Sequence, residues 1–192
     1  MKKKFQYENP IWIFKKHNLK LLNGISLLLY YFFAKHLPDT PLPGSNISMK
    51  FREFLCKNIF KKTSKLFKIH SNVSFGTGKN IEIGYNSSLN RGAWIGNDTI
   101  IGNNVMMGPE VTILSGSHNF ERTDIPMNEQ GAPNRKPVII GNDVWIGTRT
   151  IILPGVKVGN HSIIGAGSII TKDIPDWSIV AGNPAKLIKY RK

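Results

Sequence analysis

An apolar residue recurs at every sixth position along two long stretches of this chain. The first run is Ile83, Leu89, Ile95, Ile101, Met107 and Ile113, and the second is Ile140, Ile146, Ile152, Val158, Ile164 and Ile170. A period of six matches neither an α-helix nor an alternating strand. It predicts a solenoid of short strands and turns, in which three hexads form one coil and the apolar side chains stack inside. Glycine often follows the apolar residue, and we expect it to serve the turns, where a positive φ costs it little.

The two runs are out of phase with each other. Ile113 and Ile140 are 27 residues apart, which is not a multiple of six. Residues 114–139 must therefore leave the solenoid as a loop, and their prolines and glycines are typical of one. A loop of this length inside a compact domain usually has a function or is disordered.

Three regions follow from these patterns. Residues 1–68 form a basic N-terminal region in which apolar spacing predicts helices over 10–36 and 47–62. Residues 69–173 form the solenoid, with an irregular first coil over 69–82. Residues 174–192 form a C-terminal tail that leaves the repeat.

The net charge of +14 is distributed unevenly. Residues 1–68 hold 14 Lys or Arg against 3 Asp or Glu, whereas residues 69–192 hold 12 against 9. A strongly basic chain often binds nucleic acid or an anionic membrane. Because the surplus lies outside the solenoid, we expect no nucleic-acid partner. The helices of residues 1–37 could instead lie on a membrane surface or cap the end of the solenoid, and both alternatives stay open.

The chain has a single cysteine, Cys56, which excludes an internal disulfide framework. No convincing signal peptide or membrane-spanning run is visible. These features lead us to expect a cytoplasmic protein, with the inner face of the membrane as an alternative site for its basic helices.

Three segments resemble a known family. Residues 140–147 (IGNDVWIG), 164–173 (IGAGSIITKD) and 180–186 (VAGNPAK) are similar to the hexapeptide-repeat acetyltransferases. The closest similarity is to the sugar O-acetyltransferase branch, which includes maltose, galactoside and capsular-polysaccharide enzymes. The resemblance covers about residues 38–190. It implies a mainly β protein built on a left-handed parallel β-helix, a homotrimer, and acetyl-CoA as co-substrate.

His118 opens the long loop, in the segment Ser-Gly-Ser-His-Asn-Phe. Direct acyl transfer from a thioester requires a base for the acceptor hydroxyl, and histidine changes protonation near neutral pH. The resemblance places the catalytic histidine of the family at His118. Its partner stays open among Glu121, Asp124, Glu129 and a backbone carbonyl.

Two further residues receive roles from the resemblance. Asn90 interrupts the glycine column and is placed near the acceptor or the developing oxyanion, which makes it a second catalytic candidate. Its alternative role is that of an asparagine that tolerates a left-handed turn. Trp145 lies in an outward-facing slot and is placed in the substrate site, although packing between subunits would also explain it.

The resemblance also suggests a strip that binds the co-substrate. Its members are small residues or belong to the last turn: Gly147, Thr148, Gly165, Ala166, Asn183, Pro184 and Lys186. Small residues would let the pantetheine arm approach the backbone, and Lys186 could meet the nucleotide phosphates.

The histidine spacing offers no metal-binding cluster, so we assign no metal. The sequence therefore predicts an acetyl-CoA-dependent O-acetyltransferase that acts on a saccharide, in surface or capsular polysaccharide synthesis. Two alternatives remain: N-acetylation of an amino sugar or nucleotide sugar, and a non-catalytic solenoid scaffold.

Overall fold

The computed structural model describes residues 21–191, which comprise two α-helices, two short 3-10 turns and sixteen strands. The helices are α1 (Leu21–Phe32) and α2 (Ser45–Ile59), and the 3-10 turns are Ala34–His36 and Met127–Glu129. The strands are β1 (Lys62–Thr63), β2 (Phe67–Ile69), β3 (Glu82–Ile83), β4 (Ser87–Leu89), β5 (Trp94–Ile95), β6 (Thr99–Ile101), β7 (Met106–Met107), β8 (Thr112–Ile113), β9 (Val138–Ile140), β10 (Trp145–Ile146), β11 (Ile151–Ile152), β12 (Lys157–Val158), β13 (Ile163–Ile164), β14 (Ile169–Ile170), β15 (Ser178–Gly182) and β16 (Ala185–Tyr190).

The strands stack in parallel on three faces of a solenoid. Face A contains β1, β3, β6, β9 and β12, and face C contains β5, β8, β11 and β14. Face B contains β2 and β4, followed by β7, β10, β13 and β15. The Ser88 N–H donates to the Val105 carbonyl at 3.0 Å, which joins the two parts of face B. Paired residues such as Ile83 and Ile101 are 18 positions apart, so three hexads form one coil.

The interior of the solenoid is the predicted apolar column. All twelve residues of the two six-residue series are at most 3% exposed. Ile101 pairs with Ile140 across the inserted loop, so the coils continue in register on both sides of the phase break. These observations confirm the predicted fold class, a left-handed parallel β-helix with an N-terminal helical segment and one long protruding loop.

The repeated glycines have a different physical role from the one expected. Those that follow the apolar positions, such as Gly84 and Gly147, are not in the left-handed region of φ. A Cβ on Gly84 would lie 2.4 Å from the carbonyl oxygen of Gly102 in the next coil. Positive φ occurs two positions later, for example at Asn86 and Arg149. The expectation that these glycines serve the turn through positive φ is therefore wrong, because close stacking of the coils is what excludes a side chain.

The irregular first coil is two residues longer than the regular 18-residue coils. Phe67 pairs with Ser87, 20 positions away, which explains why its repeats are blurred in the sequence. Strands begin at Lys62, earlier than the expected start at residue 69, and α2 ends at Ile59 rather than at residue 62. The inserted loop runs from the end of β8 to the start of β9, over residues 114–137.

Helices α1 and α2 pack on the first coil, so within the described residues the N-terminal region caps the solenoid. Arg52, on α2, is completely buried and donates to four carbonyl oxygens: those of Ala34, Leu37, Pro38 and Ile69, at 2.9–3.3 Å. Residues 10–20 of the predicted first helix lie outside the described residues. No helix within residues 21–191 is long and apolar enough to cross a bilayer.

A buried carboxylate, Asp39, completes the attachment of this cap. It accepts hydrogen bonds from the backbone amides of Ser71 at 2.8 Å and Thr40 at 2.9 Å, and lies 3.1 Å from Nδ1 of His70. Burial by itself would raise the pKa of Asp39. The amide hydrogen bonds and His70 outweigh that effect and lower the pKa from 3.8 to about 2.

Candidate active site

The corner between faces B and C, here called the B–C corner, carries a column of small residues. Gly147 follows β10 and Gly165 follows β13, and the two are adjacent because their strands pair in register. A Cβ on Gly147 would lie 2.4 Å from the amide nitrogen of Ala166, and one on Gly165 would lie 2.7 Å from Cβ of Ala181. Thr148 and Ala166 are the next, exposed, residues of the same column. The structure therefore brings these four co-substrate candidates together in one strip, in which Thr148 and Ala166 are exposed and Gly147 is buried.

The C-terminal tail continues this strip as a hairpin. Strand β15 pairs with β13 in parallel and with β16 in antiparallel orientation, and Ala181 pairs with Lys186. Asn183 and Pro184 form the exposed turn between the two strands. Lys186 is exposed next to this turn, so a positively charged side chain lies at the end of the small-residue column.

Asn90 also lies at the B–C corner, two coils before Gly147. Its side-chain amide nitrogen donates to the Met107 carbonyl at 2.9 Å, and its side-chain oxygen accepts from the Arg91 amide at 2.7 Å. The side chain of Asn90 therefore links its own coil to the next coil by a hydrogen bond. Its φ is not in the left-handed region, so tolerance of that conformation does not explain it.

Trp145 points outward from face B and is 52% exposed. It pairs with Met106 on one side and Ile163 on the other, and Met106 is 59% exposed. The strand before the small-residue strip thus presents an apolar outer surface. Such a surface suits a ligand or a neighbouring chain.

His118 lies at a different corner, between faces C and A, where the inserted loop leaves the solenoid. It is exposed and lines an open pocket of about 440 Å³ together with residues of the same loop, including Phe120, Glu121 and Gln130. An adjoining pocket of about 320 Å³ begins at Ser115 and Ser117 and extends over the later coils. His118 therefore has room for a reacting group beside it.

Gln130 holds the loop around His118 in shape. Its amide nitrogen donates to the carbonyls of Arg122 at 2.7 Å and Ile125 at 3.1 Å, and its side-chain oxygen accepts from the Arg122 amide. Asn119, the neighbour of His118, donates to the Gln130 carbonyl at 3.0 Å. This role of Gln130 was not predicted, because a glutamine in a polar loop carries no recognisable sequence signal.

Asp98 attaches both ends of the loop to the solenoid. Its backbone amide donates to the Ser115 hydroxyl at 3.4 Å, and its carbonyl accepts from the Val138 amide at 3.1 Å. Its carboxylate accepts from Arg135 at 3.3 Å and from Asn80 at 2.6 Å. Asp98 was not predicted either, because it acts through contacts between segments distant in the sequence.

The acidic candidates near His118 differ in their surroundings. Asp124 is paired with Arg122, whose Nε donates to it at 2.9 Å, and this hydrogen bond lowers the pKa of Asp124. Glu129 lies on the 3-10 turn, and Glu121 lines the pocket of His118. Among the three, Glu121 is the carboxylate that shares this pocket.

Other reactive side chains lie away from the loop. Cys56 is completely buried under the cap, and burial raises the pKa of its thiol, which disfavours a covalent acyl-cysteine route. His161 is held by Asp143 at 2.9 Å on the corner between faces A and B. No group of three or more His, Cys, Asp or Glu side chains within residues 21–191 is arranged to hold a metal ion.

Comparisons with known proteins agree with this geometry. Residues 137–172 match the model of the bacterial transferase hexapeptide family (six repeats). The chain is 35% identical to galactoside O-acetyltransferase of Escherichia coli K12 over 173 residues, covering 84% of each protein. A maltose O-acetyltransferase from Clostridium difficile 630 superposes with a TM-score of 0.75 at 30% identity, over 93% of this chain and 91% of the other.

A galactoside acetyltransferase solved in complex with coenzyme A superposes with a TM-score of 0.73 at 32% identity, over 92% of this chain and 84% of the other. The similarity thus extends over the cap, the solenoid and the inserted loop. Together with the repeat match, it shows that this chain belongs to the hexapeptide-repeat acetyltransferase family.

Proposed function

We propose that this protein transfers the acetyl group of acetyl-CoA to a hydroxyl group of a saccharide, with His118 as the general base. The observation that carries the proposal is the position of His118, exposed in an open pocket of a braced loop. The relatives named as galactoside and maltose O-acetyltransferases support the reaction and the class of acceptor.

The reaction requires one proton to move twice. A ring nitrogen of His118 accepts the proton of the acceptor hydroxyl while the oxygen attacks the thioester carbonyl. The tetrahedral intermediate collapses when the carbon–sulfur bond breaks, which leaves the acetyl ester on the sugar. The coenzyme A thiolate then takes the proton from the imidazolium, so His118 returns to its starting state.

Asn90 is proposed to stabilise the developing oxyanion. A side-chain amide nitrogen carries two hydrogens, and the hydrogen bond to Met107 uses one of them. That bond also fixes the orientation of the amide. A donor that is already oriented stabilises negative charge without reorganisation.

The small-residue strip of the B–C corner is proposed to bind the pantetheine arm of acetyl-CoA. Gly147 and Gly165 let two successive coils stack closely, and the exposed Thr148 and Ala166 beside them offer a small-residue surface to the arm. The exposed turn formed by Asn183 and Pro184 continues this strip at its C-terminal end and is proposed to contact the same arm. Lys186 at its side would contact the phosphate groups.

His118 and this strip lie on different corners of one chain, which supports a homotrimer. Two different corners can face a common groove only when they come from adjacent copies. A threefold arrangement repeats that groove three times. Trp145, exposed on the adjoining face, would then line the groove against the acceptor or the neighbouring subunit.

The acceptor is proposed to be a unit of a surface or capsular polysaccharide. The relatives whose similarity extends over the cap are named for galactoside and maltose, so a small sugar is the alternative acceptor that the same assay tests. Mass spectrometry of an acetyl-CoA assay against a saccharide panel would identify the acceptor. An acetyl group released by mild base would mark an ester, whereas a base-stable product would mark an amide and contradict O-acetylation.

The base is tested by replacing His118 with alanine. We expect kcat to fall by about a thousandfold or more, because general base catalysis contributes on the order of 10²–10⁴. Gel filtration should show an unchanged oligomer. His36→Ala provides a matched control, since His36 is also exposed but lies on the cap. Retained turnover in His118→Ala would refute the assignment.

A further inference from the structure

Helix α1 presents its apolar side chains to solvent. All six exposed residues of α1 are large and apolar: Leu21, Leu22, Ile25, Leu28, Leu29 and Phe32. Its buried residues are Gly24, Ser26 and Tyr30, which are small or carry a hydroxyl group. A helix on a soluble protein normally has the opposite arrangement, with its apolar face toward the core. The exposed face of α1 is therefore built to be covered by something apolar.

Polar contacts fix α1 in this orientation. The Tyr30 hydroxyl donates to the Val73 carbonyl at 3.0 Å inside the cap, and the Asn58 amide donates to the Ser26 hydroxyl at 3.3 Å. Rotating α1 to bury its leucines would break both bonds and expose a buried tyrosine. The outward apolar face is thus a specified feature of the packing.

Helix α2 also exposes large apolar side chains, and it adds exposed lysines. Ile47, Lys50, Phe54 and Lys57 recur at helical spacing and are all exposed, with Ile47 at 76% and Phe54 at 60%. The two helices pack against each other, and the rings of Phe33 and Phe51 meet edge to face at 6.4 Å. Apolar and basic side chains therefore alternate on the outside of the cap.

The charge of the cap has one sign. Residues 21–68 contain eight Lys or Arg and two Asp or Glu. One of the two acids, Asp39, is buried, and it is in contact with His70. Residues 1–20 add six lysines and one glutamate. Glu53 interacts with Lys50 and Lys57 and offsets part of this charge, but eight cations against two acids leave residues 21–68 with a surplus of six positive charges.

We propose that this outer surface of α1 and α2, the cap surface, docks on an anionic lipid membrane. Apolar side chains that enter the interface and lysines that meet anionic headgroups are the two contributions that hold peripheral helices on bilayers. A second copy is a poorer occupant, because two such surfaces would bring like charges together. The proposal is independent of the acetyl-transfer chemistry.

Vesicle sedimentation with the full chain tests the proposal. We expect binding to vesicles of phosphatidylcholine mixed with phosphatidylglycerol, and weaker binding to phosphatidylcholine alone. The double variant Phe32→Ser/Phe54→Ser should lower the partition coefficient by about tenfold or more, because two exposed aromatic rings no longer enter the interface. Lys50→Glu/Lys57→Glu should lower it by about tenfold or more on the anionic vesicles only.

Tyr85→Ser/Tyr190→Ser is the matched control, because it removes two half-exposed aromatic rings that lie outside the cap. It should leave partitioning unchanged. Acetyl transfer to a soluble acceptor should persist in all three variants, which separates failure of this proposal from failure of the proposed reaction. The proposal is overturned if the chain ignores anionic vesicles, or if Phe32→Ser/Phe54→Ser binds them as the parent does. Loss of self-association in that variant, with vesicle binding intact, would assign the surface to a second copy.

Discussion

The buried carboxylate of Asp39 should make the attachment of the cap dependent on pH. We consider Asp39→Asn, which keeps the shape of the side chain and removes its charge. The lowering of the Asp39 pKa from 3.8 to about 2 corresponds to about 2–3 kcal/mol in favour of the ionised folded form. The variant should therefore be less stable than the parent by about 2–3 kcal/mol at neutral pH.

The lowered pKa of Asp39 determines how its contribution to the free energy of unfolding changes with pH. A group whose pKa is lower in the folded state stabilises above its unfolded pKa, and the stabilisation disappears as pH falls through the folded pKa. For Asp39 the contribution is complete above about pH 5, falls by about half near pH 3 and vanishes below about pH 1. The difference between parent and variant should shrink over the same range.

Urea denaturation at a fixed protomer concentration, at several pH values between 7 and 3, measures this difference. Asp124→Asn is the matched control, because Asp124 is an exposed carboxylate paired with Arg122, and a solvent-screened pair of this kind contributes little to stability. Equal destabilisation by the two variants would refute the reasoning. So would a deficit of Asp39→Asn that stays constant from pH 7 to pH 3.

Three further substitutions test the packing. Gly147→Ala would place a methyl group 2.4 Å from the Ala166 amide, so we expect a loss of about 1–3 kcal/mol and weaker coenzyme A binding by calorimetry; Gly116→Ala, where a Cβ meets nothing within 4 Å, is its control. Asp98→Ala should remove the carboxylate contacts to Arg135 of the inserted loop and to Asn80, while the backbone hydrogen bonds of residue 98 to Ser115 and Val138 persist, and should lower kcat by up to about tenfold with little change in KM for acetyl-CoA; an unchanged kcat would exclude a positioning role for the carboxylate. Arg52→Met should leave buried carbonyls without a donor and lower stability by about 3–5 kcal/mol in thermal or urea unfolding; a loss below 1 kcal/mol would contradict its role as the attachment of the cap.

The sequence by itself determined the solenoid and its interior. A side chain that recurs every six residues and is always apolar is buried when each hexad forms one short strand of a solenoid, so the pattern determined the inward column from Ile83 to Ile170. The pairing of Ile83 with Ile101 then shows that three hexads form one coil. The phase break between Ile113 and Ile140 likewise required an insertion, and His118 had to lie in it. These inferences depend on local periodicity, which a single chain displays directly.

Only the tertiary structure decided how the functional residues are distributed. His118 and the Gly147 strip are on different corners, and Asn90 shares a corner with the strip, because corners are assigned by counting strands through an irregular first coil and an insertion. Asp98 acquires its role from partners in distant segments of the chain, and Gln130 acquires its role from the conformation of its own loop. The outward leucines of α1 could not be inferred either. Helical spacing shows that a face is apolar, but the contacts of Tyr30 and Ser26 determine which side of the helix is buried.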